Sequence, residues 1–138
     1  MFNAFVHINW VGVLAAAVAN SVFGGVWFGA LFAKTYVRAL GKENSPAPKL
    51  TPIFLVGPFL CGLVVAITSA IVMQLLKIDS VQDAATFGAL VGLGYLGATA
   101  QNVAINPNMP RPLLYAMINV PYFVLSSIAT CVVLVLMH

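Results

Sequence analysis

The stretch PIFLVGPFLCGLVVAITSAIVMQLL, residues 52–76, contains no Asp, Glu, Lys, Arg or His. An uncharged apolar run of this length reads as a membrane-spanning helix, because about 20 residues rising ~1.5 Å each cross a hydrocarbon core ~30 Å thick. Outward from it the same pattern recurs at about residues 8–32, 84–105 and 113–137. The sequence therefore predicts an all-α integral membrane protein, a four-transmembrane-helix bundle in a single domain over residues 1–138. Chain breakers fall between the runs, Ser45-Pro46-Ala47-Pro48 in the first link and Asn106 to Pro112 in the third, which reads as a tight helical hairpin.

Composition supports the same class. Hydrophobic residues make up 62% of the chain and charged ones 7%, against roughly 45–50% and about 25% in soluble domains. A soluble fold of this size buries only ~70% of its unfolded surface, so much of this apolar area must face lipid or a partner. The net charge of +3 does not indicate nucleic acid, whose binders cluster basic residues on a soluble face with stacking aromatics. Here the basic residues flank apolar runs.

Their distribution sets an orientation. Lys34, Arg38, Lys42, Lys49 and Arg111 lie in the first and third links, against Lys77 alone in the second. By the positive-inside rule the first and third links are cytoplasmic and both termini lie outside or in the periplasm. The first run has no positive charge before it and is too long for a cleaved signal, so it reads as a retained anchor. Trp10 near the outer end, with Trp27, Phe28, Phe32 and Tyr36 towards the inner end, fits interfacial aromatic belts. Cys61 and Cys131 differ in depth by ~14 Å at 1.5 Å per residue, beyond disulfide reach, and both read as small core residues.

Small residues are patterned. Gly12, Ala16, Asn20 and Gly24 form one i,i+4 column and Ser21, Gly25 and Gly29 another, while Ala84, Gly88 and Gly92 repeat the device in the third run. Such columns let backbones approach closely in lipid, either within one bundle or between copies. The polar residues share faces too. At 3.6 residues per turn, Gly92, Tyr95, Thr99, Asn102 and Asn106 fall on one side of the third run, and Asn119, Tyr122 or Phe123, Ser126 and Thr130 on one side of the fourth. The two faces are placed to meet and to hydrogen-bond between helices. Pro121 removes one backbone bond, frees a carbonyl near Met117 and predicts a kink beside Asn119.

No Asp, Glu, Lys, Arg or His falls within any of the four runs, which argues against a proton-coupled pump. No glycine-rich phosphate loop, nucleophile elbow or metal motif appears, so no catalytic residue, cofactor or metal ligand is assigned.

Asn9-Trp10, the segment from Gly24 to Phe32, Gly41 after a basic helix, Asn102, Arg111, and Asn119 with Tyr122 together resemble the small bacterial membrane proteins of domain-of-unknown-function family 1761. The resemblance covers most of the chain and is loosest from about Asn44 to Asp83. It implies a four-helix inner-membrane protein of unassigned activity.

Two functional readings follow from different classes. One is a non-enzymatic structural or accessory bundle that self-associates through its glycine faces, with lipids and its own copies as partners. The other is a passive channel or facilitator for a small solute, lined by Asn20, Tyr95, Thr99, Asn102, Asn119, Tyr122 and Ser126. A weaker third reading is a lipophile-binding enzyme working through Arg111 and Tyr122.

Overall fold

The computed structural model describes residues 7–138, which form helices only; there is no strand among them. Helix α1 (Trp10–Val26) continues as a π-helical segment (Trp27–Leu31), and a short helix α2 (Ala33–Ala39) follows. Helix α3 spans Ile53–Leu75. Helix α4 (Val81–Val91), a second π-helical segment (Gly92–Gly97) and α5 (Ala98–Ala104) form one continuous run, and α6 spans Pro112–Leu136.

The boundaries follow local chemistry. Asn9 caps α1, its Oδ1 accepting from the N–H groups of Val11 (3.0 Å) and Gly12 (3.2 Å). Its amide also donates to the carbonyl of Met137, so one side chain joins the start of α1 to the end of α6. Ser80 opens α4 by accepting from the N–H of Asp83 at 3.0 Å while its hydroxyl reaches the Asp83 carboxylate at 2.7 Å. This capping pair starts the helix at Val81, three residues before the boundary read from hydropathy. Pro112 stands at the first turn of α6, where its missing N–H costs nothing.

Three helical runs, Trp10–Leu31, Ile53–Leu75 and Pro112–Leu136, are long and apolar enough to cross a membrane. The run from Val81 to Ala104, read from sequence as a fourth span, is not among them. Gln82, Asp83, Gln101 and Asn102 dilute its apolar character at both ends.

Helix α1 packs against α3 and α6, and α4 and α5 lie along α6, so α1 and α6 are central. The contact between α4 and α6 is the closest. A Cβ on Gly88 would stand 2.7 Å from Ile128 Cα, and one on Gly92 2.7 Å from Val124 Cα. One buried cluster, Ile8, Val13, Ala16, Ala66, Met73, Ala84, Cys131 and Leu134, draws on all four long runs towards the end of the bundle that carries Asn9 and Met137. At the opposite end the first turns of α3 stand clear, with Ile53, Phe54, Leu55, Val56 and Leu60 exposed. Cys61 lies in that open part and is exposed, so it is not the core residue expected; Cys131 is buried, and both thiols are free.

Pro121 lies inside α6, where the sequence predicts a kink. The helix is continuous from Pro112 to Leu136, and Asn119 beside the proline is only 3% exposed, its amide donating at 2.9 Å to the Tyr115 carbonyl one turn earlier.

Candidate functional site

Tyr122 is the hub of a place where polar side chains from α1 and α6 meet within the bundle. Its ring lies 5.6 Å from Phe23, 6.2 Å from Trp27, 4.8 Å from Phe28 and 5.3 Å from Phe123. Its hydroxyl donates to Asn20 Oδ1 at 3.5 Å. Glycines make the room: a Cβ on Gly24 would stand 2.8 Å from the Tyr122 hydroxyl, and one on Gly62 2.9 Å from Asn20 Nδ2. The π-helical segment helps to aim the rings. It widens the turn with a bond from the Phe32 N–H to the Trp27 carbonyl at 2.9 Å, and Trp27 packs on Phe32 at 4.6 Å. The Trp27 indole donates at 3.2 Å to the carbonyl of Ile118, the residue after Met117, whose own carbonyl Pro121 deprives of a helical partner. The node is thus a hydrogen-bonded pair wrapped in aromatic rings, suited to fixing the register of α1 on α6.

The other polar residues read from sequence are dispersed. Ser126 is buried but donates within its own helix, to Phe123 O at 3.3 Å. Tyr95 is 74% exposed, and Thr99 and Asn102 are also exposed, on the side of α4 and α5 turned away from α6. The polar faces of the third and fourth runs therefore do not meet. The reason is the π-helical segment Gly92–Gly97, which holds more residues per turn than an α-helix. The buried positions run Ala84, Gly88, Gly92, then Gly97 and Ala104, a step of five where the 3.6-residue projection took three or four. Gln101 Oε1 on α5 and Ser127 Oγ on α6 are buried without a hydrogen-bond partner among the described residues.

The glycines fall into two groups. Gly12, Gly24, Gly62, Gly88, Gly92 and Gly97 face neighbouring elements or their own turn within the chain, whereas Gly25, Gly29, Gly57 and Gly94 have nothing within 4 Å of a notional Cβ.

Arg111 organises the end of the bundle opposite Asn9. Its Nη1 lies 2.5 Å from Glu43 Oε1 and 2.5 Å from the carbonyl of Arg38, near the last turn of α2. Helix α2 ends in a Schellman turn, with Lys42 N–H donating to Val37 O at 3.1 Å and Gly41 N–H to Arg38 O at 3.0 Å. Gly41 has φ +66°, and a Cβ there would stand 2.7 Å from Pro110 Cγ. The first link is thereby fastened to the hairpin before α6. The hydrogen bond from Arg111 holds the Glu43 carboxyl below its ordinary value of 4.5.

Sequence reading did not find Glu43, Gly62, Gly97 or the ring of Phe23 as part of these clusters. The available signals were the i,i+4 pair Phe23 and Trp27, and a glycine column that resumes one residue late at Gly97.

No curated protein and no solved structure matches the chain. Residues 11–135 match the family described as Protein of unknown function (DUF1761), and the chain belongs to that family.

Proposed function

We propose that this chain is a bacterial inner-membrane protein in which all four helical runs span the bilayer with both termini outside, and that it serves as a non-enzymatic structural or accessory bundle associating with its own copies. The run from Val81 to Ala104 is the fourth span in this reading; its polar ends fall where headgroups begin. Lipids and like copies are its partners, without a cofactor.

The observation that carries the reading is the pair Gly25, near the end of α1, and Gly29, in the π-helical segment that follows, two exposed small residues four apart that nothing within the chain fills. In lipid, such motifs permit close helix pairing driven by van der Waals contact. Gly88 is unsuited to this role, since Ile128 already occupies its face. Light scattering on detergent-extracted protein tests the proposal. Wild type runs as a defined oligomer and the double variant Gly25→Leu, Gly29→Leu as a monomer; a monomeric wild type overturns it.

A second reading, a passive channel, draws on the outward edge of Tyr95, Thr99 and Asn102. Copies meeting along that edge would line a polar, uncharged path. Proteoliposome flux that Asn102→Leu abolishes supports it; flux no higher than that of empty liposomes removes it.

A further inference from the structure

Helix α2 begins directly after the apolar run that ends at Leu31, and it carries Lys34 and Arg38 one turn apart, both exposed. Lys42 follows in the Schellman turn and is also exposed. Beside them is a groove of about 350 Å³ lined by Ala33, Lys34, Val37 and Glu43. Two features would repel an anion here, the carboxylate of Glu43 and the carbonyl end of α2 with its partial negative charge. Both are answered by one group, because the Arg111 guanidinium sits on Glu43 Oε1 and on Arg38 O. What is left facing outward is basic, next to a lining half of which is apolar. A soluble phosphate has no use for Ala33 and Val37, whereas a phosphate carrying a glycerol and acyl chains does.

We infer that Lys34, Arg38 and Lys42, with the groove over Ala33 and Val37, form a binding site for the phosphate headgroup of an anionic phospholipid. Basic residues immediately beyond a spanning helix attract such headgroups, and the site depends on both Arg111 contacts to stay electropositive. The inference rests on the membrane-embedded reading above but not on self-association.

The test is native mass spectrometry of the full chain released from micelles holding equal amounts of phosphatidylglycerol and phosphatidylcholine. Wild type should retain phosphatidylglycerol in preference by on the order of tenfold, since basic residues next to the membrane surface attract anionic headgroups. The double variant Lys34→Gln, Lys42→Gln should retain the two lipids equally, while Lys77→Gln, at the other end of the bundle, keeps the preference. An unchanged thermal midpoint in the double variant shows that its fold is intact. Equal retention by wild type overturns the inference, as does a preference that survives in the double variant. Loss of the phosphatidylglycerol adduct to excess inorganic phosphate also overturns it, by assigning the site to a soluble anion. Failure of the membrane reading itself would show separately, as protein absent from the membrane fraction.

Discussion

The Tyr122 hydroxyl donates to Asn20 Oδ1 at 3.5 Å, within a ring of four aromatic side chains. A single hydrogen bond between helices in lipid contributes only about 0.6 kcal/mol, whereas truncating a buried aromatic side chain costs ~3–5 kcal/mol. Tyr122→Phe should lower stability by well under about 1 kcal/mol, and Tyr122→Ala by several times more. Unfolding in detergent reads both. Equal losses would mean that the hydroxyl, and not the ring packing, holds α1 to α6.

The two groups of glycines give opposite expectations for one chemical change. Gly88→Ala and Gly92→Ala push a methyl into the backbone of α6 and should cost ~1–3 kcal/mol. At Gly57 and Gly94 the methyl meets open space, and alanine should stabilise by roughly 0.5–1 kcal/mol through helix propensity. Unfolding midpoints of single variants separate the groups.

Lys77 has φ +55° at the end of α3, where Lys77 N–H reaches Gln74 O at 3.2 Å and Ile78 N–H reaches Met73 O at 2.9 Å. This is a Schellman turn with lysine in the position that favours glycine. Lys77→Gly should raise stability by about 1 kcal/mol, measured as a higher unfolding midpoint. No change would place the strain elsewhere.

Glu43 links stability to pH with a definite sign. Its folded carboxyl titrates below the ordinary 4.5 because Arg111 hydrogen-bonds it, so the contribution is present above 4.5 and is lost as pH falls through the depressed value. The group is exposed, and the effect is accordingly small. The unfolding midpoint of wild type should fall on acidification below pH 4.5 more than that of Glu43→Gln. Parallel curves would remove the pair from the stability of this end.

Orientation is expected to rest on the basic first link. A reporter fused after His138 should be active if it works only in the periplasm. Neutralising Lys34, Arg38, Lys42 and Lys49 together leaves Arg111 against Lys77 and should give mixed orientation. A single retained orientation would mean that another feature places the chain.

Helix positions were legible in the sequence because they depend on run length, prolines and caps. Residues 52–76 foretell Ile53–Leu75, and 113–137 foretell Pro112–Leu136. Which side of a helix faces inward depends on exact phase, and one wide turn changes it. Projection at 3.6 residues per turn stays correct up to Gly92 and then turns Tyr95, Thr99 and Asn102 to the wrong side. Arg111 stood out as the lone charge in its hairpin, but its partners Arg38 and Glu43 are some 70 positions away, a separation over which no local pattern carries information.

The π-helical segment also has a consequence for chain length. The inward positions Ala84, Gly88, Gly92, Gly97 and Ala104 become, on removal of the open Gly94, an unbroken succession of four-, four-, four- and seven-residue steps, the stripe of an ordinary α-helix. This is a point where the helix carries one residue more than its contacts require. A chain one residue shorter here keeps every contact with α6, while a deletion two turns earlier would turn Ala84 out of the core. A single-residue deletion should therefore be accommodated at Gly94 and not on the Gly88 side of the same helix.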